Sequence, residues 1–180
     1  FFSNYFYGCC VVALSVETNF QLSTALNSAF YYLLIFAASV VYYTKSYTSE
    51  ASYSQPNQRA QWYRMNQTKV LYSQVILSIT AIVLSAILLY QQHSAIKQLT
   101  RYEWNLILIF PFTAVLYYGS IPPKNPTHNL RSIGWLKPFV IGFVWTGVVS
   151  IYPLIFEAIE SRKHFEPHWL AWMFFLKNFI

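Results

Sequence analysis

The connection between two apolar runs, residues 117–145, carries basic side chains and no acidic one. Lys124, Arg131 and Lys137 account for three of the chain's 12 Lys and Arg residues, and Tyr118 precedes them at the end of the first run. Lysine and arginine pair with phosphate oxygens, and a tyrosine hydroxyl can donate to the same oxygens. This pattern is typical of a site for an anionic headgroup or a diphosphate. It is equally typical of a cytoplasmic membrane boundary that attracts anionic lipid.

The elements that would hold these residues follow from the composition. Apolar residues make up 56% of the chain and charged residues only 10%, which is too little charge to cover a water-soluble globule of this size. The complete apolar runs approach the roughly 20 residues that a helix needs to cross the hydrocarbon core. We therefore predict an all-α, polytopic membrane helix bundle with five to six transmembrane helices, forming one domain over residues 1–180. The runs cover residues 1–16, 24–43, 70–90, 104–121, 139–158 and 167–180.

Two of these runs contain a proline, Pro111 and Pro153. A proline inside a helix leaves the carbonyl four residues earlier without its N–H partner. Within a membrane such a carbonyl is tolerated when a neighbouring helix or a water satisfies it. We therefore expect a donor close to each proline.

Basic residues are distributed unevenly over the connections. The connections after the second and fourth runs oppose only Glu50 to seven basic residues, whereas Lys and Arg are mixed with five Glu in the others. An excess of basic residues in short loops marks the cytoplasmic side, so the N-terminus is predicted to be cytoplasmic as well. The charge of +6 is spread over both sides of the membrane, which argues against a nucleic-acid partner. The seven basic residues are Lys45, Arg59, Arg64, Lys69, Lys124, Arg131 and Lys137.

The longest polar stretch, residues 44–69, combines aromatic and basic side chains in its second half. Such a segment can form a helix along the lipid headgroups, or a solvated loop anchored by its aromatic rings. Both interpretations stay open at this point. The side chains concerned are Arg59, Trp62, Tyr63, Arg64, Met65 and Lys69.

Two further groups of residues could do chemistry. His164, Glu166 and His168 resemble a two-histidine, one-carboxylate metal set, but Pro167 breaks the helical register, so we favour an interfacial loop and predict no metal site. Glu17, with Thr18 and Asn19 beside it, could instead cap the turn between the first two helices.

Three stretches carry a resemblance to a known family: "FFSNYF" at the start, "IPPKNPTHNLRSIGWLKPFVIGFVWTGV" in the middle and "FFLKNFI" at the end. Together with the order of the elements, they are similar to the UbiA superfamily of intramembrane prenyltransferases, and more narrowly to a UbiA-like branch of Bacteroidetes. The resemblance implies a bacterial inner-membrane location. It also implies that the ends of the second and fourth helices converge on one cavity, which holds Tyr43, Lys45, Tyr118, Lys124 and Arg131.

The chain departs from the family where the family binds metal. UbiA enzymes hold a prenyl diphosphate through Mg²⁺ and two Asp-rich motifs, and Mg²⁺ requires oxygen ligands such as carboxylates. At the first motif this sequence has Tyr42, Tyr43 and Lys45, and it contains no Asp. Lys45 either neutralises a phosphate in place of the metal or marks the membrane boundary. No cofactor is visible, and Mg²⁺ is expected only if chain beyond Ile180 supplies carboxylates.

We therefore predict a UbiA-like, non-catalytic membrane protein that acts as a lipid-binding or structural subunit. The alternative is a prenyltransferase that moves a polyprenyl group from its diphosphate to an acceptor. Membrane lipid is the expected partner, with other membrane subunits as further candidates, and no catalytic residue is assigned.

Overall fold

The computed structural model describes residues 4–48, 58–118, 135–166 and 169–179, which are mainly helical and include no strand. The all-α prediction is therefore confirmed over this part of the chain. In order, the helices are α1 (Tyr5–Gln21), α2 (Ala29–Thr48), α3 (Gln58–Met65), α4 (Gln67–Gln91), α5 (His93–Ile96), α6 (Arg101–Tyr118), α7 (Lys137–Thr146), a π-helical segment (Gly147–Ile151), α8 (Tyr152–Glu160) and α9 (Trp169–Phe179).

Two helical stretches are long and apolar enough to cross a membrane. They are α4, with 25 residues, and the continuous run from α7 through α8, Lys137–Glu160, with 24 residues. Helix α2 contributes a shorter apolar stretch, Ala29–Lys45. The predicted number of five to six spans is thus not reached among the described residues. Helix α1 is only 17 residues long, and α6 begins with a turn that contains Arg101 and Glu103.

The chain divides into two compact units, and α1 contributes to both. Unit 1 comprises residues 1–13 and 27–93, and unit 2 comprises residues 14–26 and 94–180. The prediction of a single domain stays a prediction. In unit 1, α2 packs along α4, and α3 contacts both helices. Tyr31, Ile35 and Val40 of α2 are buried, as are Leu84 and Leu88 of α4.

Unit 2 contains both helix-interrupting prolines. Pro153 leaves the Val149 carbonyl without its helical N–H partner, and the hydroxyl of Thr18 donates to that carbonyl at 2.6 Å. Pro111 does the same to the Ile107 carbonyl, to which the Tyr152 hydroxyl donates at 2.6 Å. Both donors come from other helices, which confirms the expectation for the two freed carbonyls.

The π-helical segment lies immediately before Pro153. The Tyr152 N–H bonds to the Gly147 carbonyl, five residues earlier, so the helix widens where the proline removes a normal bond. Gly147 faces the ring of Phe110, and a Cβ at this glycine would lie 2.1 Å from that ring. Only glycine therefore permits this close approach. Phe110 is itself in contact with the rings of Phe143 and Tyr152.

The turn after α1 is closed by side chains that the sequence indicated in part. The amide of Asn19 donates to the Thr24 hydroxyl at 3.0 Å and to the Ala25 carbonyl at 2.6 Å. Asn19 is therefore the residue that ties this turn. Thr18 bonds the proline-freed carbonyl instead, and Glu17 pairs with Lys177 at 3.3 Å.

Candidate functional site

The structure describes three of the five residues that the sequence assigns to a headgroup site. Tyr43 and Lys45 lie in α2 of unit 1, and Tyr118 ends α6 of unit 2. Lys124 and Arg131 lie outside the described residues. The convergence of all five on one cavity stays a prediction. What the structure does describe is the surrounding of Tyr43 and Lys45 in unit 1.

A buried polar cluster lies at this end of unit 1. The amide nitrogen of Asn4 donates to the Thr44 hydroxyl and to the Tyr63 hydroxyl, each at 3.0 Å. The guanidinium of Arg59 donates to the amide oxygen of Asn4. Asn4 is 1% exposed, and its amide uses both its donor and its acceptor capacity here. One side chain thus fixes the residue before α1, the end of α2 and helix α3 relative to one another.

Tyrosine rings enclose the guanidinium of Arg59. Its central carbon lies 4.5 Å from the Tyr47 ring centroid and 5.6 Å from that of Tyr7. Tyr47 in turn stacks on Tyr63 at 5.2 Å, and Tyr7 stacks on Tyr43 at 5.2 Å. Cation–π contacts of this kind hold an arginine in place while its charge is kept. We name Asn4, Tyr7, Tyr43, Thr44, Tyr47, Arg59 and Tyr63 the basic–aromatic cluster.

Protonation in this cluster is set by burial and by hydrogen bonds. Burial raises the pKa of the Tyr63 hydroxyl, although the Thr44 hydroxyl and Arg59 oppose the rise. Tyr63 therefore stays a neutral phenol at physiological pH. Burial would lower the pKa of Arg59, but its hydrogen bond with Tyr7 and the neighbouring tyrosine oxygens outweigh this and raise it. Arg59 is therefore a permanent positive charge.

A cavity of about 180 Å³ opens beside the cluster. Asn4, Thr44 and Tyr63 form one side of it, and Lys69 of α4 lies on another. Its volume is below the roughly 300–1,000 Å³ of pockets that enclose whole small molecules, so it suits part of a ligand. Its remaining lining residues are Tyr5, Trp62, Val70, Ser73 and Gln74.

The charged side chains described in this region are all positive. Lys45, Arg64 and Lys69 are exposed around the cluster that contains Arg59. The described residues of unit 1, which are 4–13, 27–48 and 58–93, contain no Asp or Glu. An anion near this surface meets several positive charges, and the described residues of unit 1 present no carboxylate that would repel it.

The same donor set does not suit the Mg²⁺ of the UbiA family. The cluster offers phenols, amides and cations, whereas Mg²⁺ in proteins is held by carboxylate oxygens and waters. Across the described part of the chain, the structure brings together no group of three His, Cys, Asp or Glu that could hold a metal ion. Of the predicted alternative set, His164 and Glu166 lie in the loop after α8, and His168 is outside the described residues.

Sequence reasoning found some members of the cluster and missed others. Arg59 and Tyr63 belong to the polar stretch for which an interfacial helix was one interpretation, and α3 confirms that this part is helical. Asn4 and Tyr7 were not singled out, because their roles depend on residues far away in sequence, up to the 59 positions between Asn4 and Tyr63. No local pattern announces such a contact.

Comparisons of the chain with family models, with curated proteins and with solved structures find no match to it.

Proposed function

We propose that this chain is a multi-pass, UbiA-like protein of the bacterial inner membrane that binds anionic lipid headgroups at the basic–aromatic cluster of unit 1. In this proposal it acts without catalysis, as a lipid-binding or structural subunit. The observation that supports it best is the positively charged surface around a preorganised arginine and a small cavity, where the described residues include no acid.

The exposed surface of α4 supports the membrane location. Only 11% of its most apolar stretch is buried, and Leu71, Ile76 and Ile82 are each more than 60% exposed. Soluble monomers rarely expose apolar surface on this scale, whereas lipid tails cover it without cost. The further spans, predicted from residues 1–16, 24–43, 104–121 and 167–180, are part of the proposal.

The cluster would bind a headgroup through charge and hydrogen bonds together. Lys45, Arg64 and Lys69 supply attraction, each worth about 1 kcal/mol near an anionic surface. Trp62 and Tyr63 are of the two residue types that are enriched at the membrane–water interface, at the level of the lipid headgroups. Because Arg59 is already held by Tyr7 and Tyr47, part of the site needs no reordering on binding, which favours affinity.

The test measures binding of the purified chain to nanodiscs that contain phosphatidylglycerol or only phosphatidylcholine. We expect preference for the anionic lipid, a loss of that preference in high salt, and no effect of a chelator. Lys45→Gln and Lys69→Gln should each weaken binding about fivefold. Lys97→Gln, an exposed lysine of unit 2, is the matched control and should bind as the wild type does.

Two outcomes would change the conclusion. Equal binding to both nanodiscs, or equal losses in Lys69→Gln and Lys97→Gln, would contradict a headgroup site in unit 1. Strict Mg²⁺ dependence with turnover of a prenyl diphosphate would replace the proposal with a prenyltransferase. Lys124→Ala tests the UbiA-like convergence separately, because it should weaken binding only if residues 117–145 reach the same site.

A further inference from the structure

A second and larger cavity, of about 590 Å³, lies within unit 2. Its volume falls in the range of pockets that enclose a small molecule or the polar part of a lipid. The turn after α1, helix α8, the loop 163–166 and the start of α9 all contribute to it. One turn near the start of the chain and three segments that follow one another in sequence therefore build one site.

The lining of this cavity combines charges of both signs with apolar walls. Glu157 and Glu166 provide carboxylates, and Lys163 provides an ammonium group beside the imidazole of His164. The apolar walls come from Leu22, Leu154, Ala158, Phe165, Leu170 and Ala171. A simple anion would be repelled by the two carboxylates, and a simple cation would leave Lys163 without a counter-charge on the ligand. A ligand that carries both signs and an apolar chain matches the whole lining.

The loop that carries two of these charges, Lys163 and Glu166, is fixed by a buried carboxylate. Glu103, which is 1% exposed, accepts the Phe165 N–H at 2.8 Å. It also accepts the Thr100 N–H at 2.6 Å and the Thr100 hydroxyl at 2.7 Å. The loop begins just after the end of α8, where the Lys163 N–H donates to the Ala158 carbonyl at 2.8 Å. The cavity is therefore preorganised, which lowers the cost of binding.

The chemistry of the lining also distinguishes between kinds of ammonium group. Quaternary ammonium ions are recognised by cages of Phe, Tyr and Trp rings, and among the described lining residues only Phe165 is one of these three types. A primary ammonium carries three N–H donors that carboxylates can accept. Glu157 and Glu166 thus favour a primary ammonium.

We propose that this cavity binds a zwitterionic phospholipid with a primary ammonium, of the phosphatidylethanolamine class. The ammonium lies at Glu157 and Glu166, the phosphate at Lys163, and an acyl chain against Leu154 and Leu170. This goes beyond the proposed function, since the site lies in unit 2 and uses none of the residues of the basic–aromatic cluster.

The test measures how strongly the purified full chain retains phosphatidylethanolamine, phosphatidylcholine and phosphatidylglycerol in detergent, by native mass spectrometry. We expect Glu157→Gln to reduce retention of phosphatidylethanolamine about tenfold, because a charged hydrogen bond is lost. Retention of the other two lipids should change little. Glu166→Gln should act in the same direction, and its exposed position makes a folding defect easy to exclude by thermal unfolding. Lys97→Gln is the control that leaves all three unchanged.

Several results would overturn the proposal. Equal effects of Glu157→Gln on all three lipids would remove the assignment of the ammonium, as would no effect of either glutamate substitution. Soluble phosphoethanolamine that binds as tightly as the lipid would contradict the role given to the apolar walls. Failure of the unit 1 site is recognised separately, because it concerns phosphatidylglycerol and Lys69→Gln.

Discussion

Unit 1 and unit 2 use their polar residues in opposite ways. The described part of unit 1 has four cations and no acid, and its polar side chains meet at one end, beside a small cavity. In unit 2, buried polar groups bond to the backbone instead, and two of them are Thr18, which is 0% exposed, and Glu103, which is 1% exposed. There, hydroxyls and a carboxylate satisfy backbone groups that no helix partner reaches. The comparison teaches that a buried polar side chain in an apolar bundle can have one of two roles. A side chain bonded to other side chains can shape a ligand site, whereas one bonded to the backbone satisfies a group that has no helical partner.

The largest expected effect tests the packing of unit 2. Gly147→Ala places a Cβ 2.1 Å from the buried Phe110 ring, and we expect it to lower the free energy of unfolding by about 3 kcal/mol, at the upper end of overpacking costs. Gly142→Ala is the matched control, because its Cβ would meet Phe179 at an ordinary 3.4 Å. Denaturant titration in detergent measures both. A loss in Gly142→Ala as large as that in Gly147→Ala would show that the close contact is not what matters.

The second prediction concerns the repaired backbone of unit 2. Thr18→Val removes the donor to the Val149 carbonyl and should cost about 2 kcal/mol, because a buried acceptor loses its partner. Adding Pro153→Ala restores a backbone N–H for that carbonyl and should recover part of the loss. A double-mutant cycle of unfolding free energies measures this coupling.

Thr113→Val provides the control for that cycle. Its hydroxyl bonds to the Ile109 carbonyl in the preceding turn of its own helix, where a regular helical bond already exists. The change should therefore cost little. If Thr18→Val and Pro153→Ala have independent effects, the hydroxyl does not replace the missing N–H.

The third prediction concerns how stability depends on pH, which should differ between the two units because of Glu103 in unit 2. Burial would raise the pKa of the Glu103 carboxyl, but hydrogen bonds from Phe165 and Thr100 outweigh it and lower the pKa below its ordinary value of 4.5. A carboxyl whose pKa is lower in the folded state stabilises the fold at any pH above its unfolded-state pKa. This contribution is lost as the pH falls through the folded-state pKa. Glu103→Gln should cost about 1.5 kcal/mol at neutral pH.

The free energy of unfolding is measured for the wild type and for Glu103→Gln between neutral pH and pH 3. The difference between the wild type and Glu103→Gln should shrink in the acidic part of this range. The described residues of unit 1 hold no carboxylate, so the contacts of Arg59 with its neighbours should not change over this pH range. A constant difference at all pH values would mean that the charge of Glu103 contributes nothing.

The smallest effect is expected in unit 1. Arg59→Lys keeps the charge but loses the planar group that lies over Tyr47 at 4.5 Å, and it should cost about 1 kcal/mol. Arg64→Lys, an exposed position on the same helix, should change the unfolding free energy by less than about 0.5 kcal/mol. Thermal unfolding of the two variants makes the comparison. Equal effects would show that the tyrosine rings do not hold Arg59.

The sequence predicted the helices better than the contacts between them. Residues 70–90 and 139–158 are predicted to be spans, and α4 and the run Lys137–Glu160 match them in position and length, because a long, predominantly apolar stretch favours a helix. The need for donors at Pro111 and Pro153 also followed from backbone chemistry. Which residues donate did not, since the partners Thr18 and Val149 are 131 positions apart.

The candidate site was harder to predict for the same reason. Tyr43 and Lys45 were found because they stand at the end of an apolar run, where a family pattern places acids. The residue that organises this end, Asn4, precedes α1 and is joined to Thr44 across 40 positions. Hydrogen bonds of this kind depend on how helices pack, and that information is spread over the apolar contacts of α2 with α4.

The two carbonyls freed by prolines differ in the order in which synthesis supplies their partners. Thr18 is made long before Val149, so the hydroxyl already exists when that carbonyl is synthesised. For Ile107 the order is reversed, because its donor Tyr152 follows 45 positions later. Until then an unsatisfied carbonyl in hydrocarbon is costly. If α6 and α8 are membrane spans, as we propose, we expect α6 to remain near water or the translocation machinery until α8 emerges, so that the two helices enter the membrane together.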